Sequence, residues 1–167
     1  MIYTITKIIG LFCVLTISSC KSNDTKITES SSQVANKWHF GEFKEVRAYR
    51  MNWDDEHSSD TIIDSDGKLN ETRLPENGVV LNQAQIEKLK AAVTGNHPDH
   101  PTAGCFAPHH AFLFFDKSGE VIAHIDICFL CFNYNGSPKG FADFWDIEAL
   151  DSLIGEIGLP IENKEWD

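Results

Sequence analysis

Cys105-Phe106-Ala107-Pro108-His109-His110-Ala111-Phe112-Leu113-Phe114-Phe115-Asp116-Lys117-Ser118-Gly119-Glu120-Val121-Ile122-Ala123-His124-Ile125-Asp126-Ile127-Cys128-Phe129-Leu130-Cys131 carries two apolar runs on either side of a Ser118-Gly119 turn. That is the pattern of a β-hairpin, in which residues equidistant from the tip become cross-strand neighbours. Pairing centred on Ser118 sets Cys105 opposite Cys131, Pro108 opposite Cys128 and His109 opposite Ile127. A slip of one residue exchanges partners within the same neighbourhood. Phe112 and Phe114 share one face and Leu113 and Phe115 the other, while Val121, Ala123, Ile125 and Ile127 oppose Ile122, His124 and Asp126. Apolar groups on both faces predict a central pair of strands, with His124 and Asp126 on the less apolar side.

Outward from the hairpin, helix signals stand on both flanks. Asn82 is an N-cap with Gln85 three residues on, Ile86, Leu89 and Val93 recur on one face, and Gly95 stops the run. Downstream, Phe132 to Phe141 reads as an aromatic-rich Gly/Pro/Asn loop. A second helix then starts at Asp143 or Asp146, with Ile147, Leu150, Leu153, Ile154 and Ile157 as its stripe and Gly158 as a left-handed cap. Upstream, Glu45 to Trp53 suits a strand, Thr61-Ile62-Ile63 a short one, and Val79-Val80-Leu81 another. Asp64-Ser65-Asp66-Gly67 and Pro75 to Gly78 read as turns. The first of these does not extend to an EF-hand, because Ile62 and Arg73 stand where that loop needs acids. The expectation is an α+β fold: a mostly antiparallel sheet of about four to six strands with two helices packed on one face.

A chain of 167 residues, 42% hydrophobic, buries one ordinary core, so a single α+β domain is expected over 38–167. The formal charge of −11 with no basic cluster argues against nucleic acid and against electrostatic docking on anionic lipid. The N-terminus points to a membrane by another route. Lys7 is a positive n-region, Ile8 to Ile17 a short apolar h-region, and Ile17-Ser18-Ser19-Cys20 places small residues before a cysteine. This is the pattern of a bacterial lipoprotein: a signal peptide over 1–19, lipid (palmitate among its acyl chains) on Cys20, and a polar tether over 20–37. The expected location is the bacterial cell envelope, anchored in the membrane through Cys20 and exposed to the periplasm or the cell surface.

Of the five cysteines, Cys13 leaves with the signal and Cys20 is acylated, which places Cys105, Cys128 and Cys131 in an oxidising compartment. An odd number allows at most one intramolecular disulfide, from Cys105 to either Cys128 or Cys131, with the third thiol buried or sheltered by lipid. The alternative is zinc or copper held by ligands from Cys105, His109, His110, Cys128 and Cys131, since thiolate and imidazole suit both metals. Adjacent His109 and His110 point apart on a strand, so one of them at most ligates. A third reading is thiol redox chemistry at Cys128-x-x-Cys131. It lacks the helix N-terminus that activates such a thiol, so the overall reading leans away from an enzyme.

Cys-x-x-Pro-His-His-Ala-Phe-Leu-Phe-Phe-Asp, followed by Ile-Asp-Ile-Cys-Phe-Leu-Cys, resembles a pattern Cys-x-x-Pro-(Arg or His)-His … Ile-Cys-Phe-x-Cys in a group of lipoproteins and other exported proteins from Bacteroidetes-type bacteria. The likeness covers Gly104 to Asn133. It implies that this hairpin is the shared centre of the group, and leaves open whether the centre is a disulfide, a metal site or a redox pair.

Overall fold

The computed structural model describes residues 37–53, 57 and 59–161, so the expected signal segment 1–19, the lipidation site Cys20 and nearly all of the tether lie outside the described residues. In chain order the elements are β1 (Lys37–Trp38), β2 (Gly41–Glu42), β3 (Glu45–Arg50), β4 (Leu74–Val80), α1 (Gln83–Thr94), β5 (His110–Phe115), β6 (Val121–Cys128), β7 (Asn133–Ser137) and α2 (Ile147–Ile157). β1 and β2 form a small ribbon. The others build a five-stranded sheet in the order β4-β3-β5-β6-β7, every neighbouring pair antiparallel. The fold is α+β, and the hairpin strands β5 and β6 lie inside the sheet. No helix among the described residues is long and apolar enough to cross a membrane.

At its tip the hairpin keeps the register centred on Ser118, with Phe115 opposite Val121. An irregularity between Phe114 and Phe115 then shifts the pairing by one residue, so that His110, rather than His109, faces Ile127.

The two faces bury different things. Val46, Ala48, Phe112, Phe114, Ala123, Ile125 and Ile127 pack beneath both helices, against Ile86, Leu89 and Val93 of α1 and Leu150, Leu153 and Ile154 of α2. Trp38 closes the edge of this layer, its ring centroid 4.8 Å from that of Phe114. The predicted caps hold the helices. Asn82 Oδ1 accepts from Gln85 N–H at 3.0 Å while Gln85 Oε1 accepts from Asn82 N–H at 2.9 Å. Asp146 Oδ1 accepts from Ala149 N–H at 2.9 Å, and Gly158 ends α2 at φ 84°.

On the opposite face Tyr49, Met51, Ile62, Ala111 and Leu113 form a smaller core under the chain that links β3 to β4. That long connection is fastened by polar groups. Asn52 Nδ2 donates to Pro108 O at 2.8 Å and its Oδ1 accepts from Asn70 Nδ2 at 2.7 Å. Ile62 N–H, in the middle of the connection, donates to the buried carboxyl of Asp126 at 2.7 Å.

Three local expectations are corrected. Thr61-Ile62-Ile63 is no strand but contributes an isolated bridge, Ile63 to Leu69. Pro75 to Gly78 lies within β4 and Asn133 to Ser137 is β7, where turn and loop were expected. Both are edge strands, paired on one side only, so ladder bonds to the neighbour decide their conformation and an apolar alternation is not required. An edge also tolerates Pro75. Gly78, at φ 67°, has a further reason: a Cβ there would come within 2.6 Å of the Tyr49 ring.

Candidate functional site

The open end of the hairpin gathers the three later cysteines, as its pairing predicted. Cys105 and Cys131 stand at disulfide distance with their Cα atoms 6.0 Å apart, inside the range a bridge requires. β6 ends at Cys128 and a turn follows, which swings Cys131 out of the alternation that would point it away. Cys128 is buried beside the pair, its Sγ 3.2 Å from the N–H of Cys131.

The histidines serve the backbone. His109 Nδ1 lies 2.9 Å from Ala107 O and His110 Nε2 2.7 Å from Pro160 O. A carbonyl only accepts, so each of those nitrogens carries the proton. His109 stands just before β5 and His110 opens it; His110, fully buried, ties the sheet to the chain just past α2. Among the described residues no three His, Cys, Asp or Glu side chains come together as metal ligands. The Cys105–Cys131 pair takes up two of the five residues weighed for zinc or copper, Cys105, His109, His110, Cys128 and Cys131. At Cys128-x-x-Cys131 a strand leads in and β7 follows, so no helix N-terminus stands at the motif to lower a thiol pKa.

What the bridge does assemble is a surface. It bolts the loop after α1 to the turn after β6, helped by Ala103 N–H donating to Cys131 O at 2.8 Å and Asn133 Nδ2 donating to Cys105 O at 3.1 Å. Two adjoining cavities, of about 300 and about 550 Å³, open where this loop and turn meet the start of α2, and Phe132, Ile147 and Glu148 wall both. The smaller cavity adds His97, His100, Trp145 and Asp146, and the larger adds Phe129, Leu130, Asp151 and Ile161.

Each wall has a local cause. Trp145 stacks on Tyr134 of β7 with centroids 4.3 Å apart and planes 9° from parallel. Tyr134 Oη donates to Asp143 O at 2.8 Å and accepts from Trp145 N–H at 3.1 Å, which fixes the approach to α2. His97 Nε2 donates to Ala91 O at 2.9 Å, leaving Nδ1 3.9 Å from Asp146 Oδ2. His100 sits among the rings of Tyr134, Phe132 and Phe144 at centroid distances of 5.9, 6.2 and 6.5 Å. Both of its ring nitrogens are buried without a hydrogen-bond partner among the described residues. At the rim Leu130, Phe132 and Phe144 are exposed by 52%, 47% and 38%, an apolar fringe of the kind that marks binding surfaces.

A second polar spot lies on the other face of β6. Asp126 is fully buried, Oδ1 accepts from Ile62 N–H, and Oδ2 lies 3.6 Å from His124 Nε2. That separation is too long for a hydrogen bond. Burial pushes the Asp126 carboxyl up to about 7, against the pull of the Ile62 bond, and burial pushes the His124 ring down. Both shifts oppose ionisation and share one cause, burial.

The sequence located the cysteine cluster but missed the cavity beside it. Its signals were the His97-Pro98-Asp99-His100-Pro101 loop and the aromatics from Phe132 to Trp145, which only the fold brings together. Comparison with protein-family models, with curated proteins and with solved structures finds no match.

Proposed function

We propose that the chain is a lipid-anchored protein of the bacterial envelope, held to the membrane through Cys20, whose disulfide-closed hairpin end supports a binding groove outside the cytoplasm. The observation that carries the binding reading is the pair of cavities over the junction of loop, turn and α2, with His100 nitrogens that have no hydrogen-bond partner among the described residues set in an aromatic wall. Ligand sites have this character: concave, mostly apolar, a few hundred to about 1,000 Å³, with a few polar groups that set orientation. Buried nitrogens without partners cost the fold about 1 to 3 kcal/mol, which a bound ligand can recover. A disulfide fits an exported address, and so does the likeness to Bacteroidetes-type lipoproteins centred on the same hairpin.

The test has two arms. Cells fed a clickable palmitate analogue should label the wild-type chain and not Cys20→Ala; equal labelling removes the anchor from the proposal. Purified protein titrated with small aromatic fragments should show saturable shifts of the Trp145 indole N–H resonance, lost in Phe132→Ser. A resonance unmoved at millimolar fragment would overturn the groove.

A further inference from the structure

We propose that the occupant of the groove is a small organic cation, an ammonium group carried on an apolar, ring-sized body; this deepens the binding reading above and rests on it. Three features converge. Asp146, Glu148 and Asp151 line the cavities, and among the described residues no lysine or arginine lines either one. Two of those acids have an ordinary explanation in the helix. Asp146 caps α2 through Ala149 N–H, and Glu148 lies in the first turn, where the helix dipole favours a negative charge. Asp151 has no such explanation. It sits past the first turn, and its Oδ1 is buried without a hydrogen-bond partner among the described residues. An unmet acceptor beside a cavity calls for a donor, and an ammonium is donor and counter-charge together.

The second feature is the aromatic wall. Phe132 is shared by both cavities, and the Trp145 ring, backed by Tyr134, lines the smaller one. Ring faces attract cations within about 6 Å, and the attraction grows as water is excluded. The third feature is size and field. A single ring lodged in the smaller cavity, about 300 Å³, would extend its ammonium arm past the shared wall of Phe132, Ile147 and Glu148 into the larger cavity, the one that Asp151 lines. A chain of formal charge −11 also enriches cations near its surface. A neutral apolar ligand would use the rings but leave the Asp151 oxygen unmet, and an anion would meet like charge on the α2 side.

The experiment uses the purified full-length protein in detergent and three probes of similar size: 2-phenylethylammonium, 2-phenylethanol and phenylacetate. Binding is read from Trp145 resonance shifts at low and high salt. The expected order is ammonium tighter than alcohol by about tenfold, with phenylacetate weakest and the ammonium advantage shrinking in salt. Asp151→Asn should remove most of the ammonium advantage while leaving the alcohol unchanged. The probe series on wild-type protein stands even if that variant folds poorly. Equal binding of ammonium and alcohol would overturn the cation assignment and leave the groove intact. No binding by any probe would overturn both.

Discussion

Cys105→Ser is expected to unfold about 3 to 4 kcal/mol more easily than the wild-type chain. A bridge across a sequence separation of 26 removes about that much loop-closure entropy from the unfolded chain. A thiol reductant should bring wild-type protein to the same urea midpoint and leave Cys105→Ser where it is. Cys128→Ala should keep its sensitivity to reductant, because its sulfur stands outside the bridge. The consequence reaches the groove: once Cys105 and Cys131 part, the loop bearing His97 and His100 loses its covalent tie to the turn bearing Phe132 and is left with non-covalent ones such as Ala103 N–H to Cys131 O and Asn133 Nδ2 to Cys105 O. Reduction should therefore weaken fragment binding as well as stability. A wild-type unfolding curve that ignores reductant would remove the bridge from this account.

Asp126→Asn is expected to stabilise the protein at pH 8 by up to about 4 kcal/mol and to leave it nearly unchanged at pH 4. The sign follows from the carboxyl's shift from 3.8 to about 7 in the folded state. Below 3.8 it is protonated in folded and unfolded chains alike, so burying it carries no ionic penalty. Between 3.8 and about 7 the unfolded chain has released the proton while the folded one keeps it, so stability falls across that window and levels off above about 7, where the folded carboxyl ionises too. About 3 units at 1.36 kcal/mol each set the magnitude. Asparagine keeps an oxygen for Ile62 N–H and offers its amide to His124, so the connection over the second core stays fastened. His124, pushed below 6.5 by burial, works in the other direction as pH falls, so the comparison is made between variant and wild type at each pH. Urea midpoints across pH 4 to 8 read it; parallel curves for the two proteins would mean that Asp126 does not titrate in this range.

The parts of this molecule legible in the sequence were those fixed by local pattern. The Asn82/Gln85 capping box, the Ile147-to-Ile157 stripe, the left-handed Gly158 and the Ser118-Gly119 tip each carry their own geometry within a few residues. The placement of His124 and Asp126 on the poorer face followed from strict alternation. β4 and β7 escaped because an edge strand takes its shape from the neighbour it pairs with, and Pro75, Gly78, Asn133 and Asn135 carry turn chemistry. The one-residue shift between Phe114 and Phe115 escaped for a related reason: nothing in two phenylalanines announces a bulge. For the site, chain distance from the tip was enough to gather Cys105, Cys128 and Cys131. It was not enough to foresee the groove, whose walls come from the stretch after α1, the turn after β6 and α2, and meet only through tertiary packing.

Cys105 and Cys131, and no other pair of the three later cysteines, close the hairpin end. Blocking free thiols in denaturant without reduction, then mapping the peptides by mass, tests it directly. The expected outcome is a cross-linked Cys105–Cys131 peptide with Cys128 carrying the alkyl label. A bridge from Cys128 to either of the others, or three labelled cysteines, would contradict it.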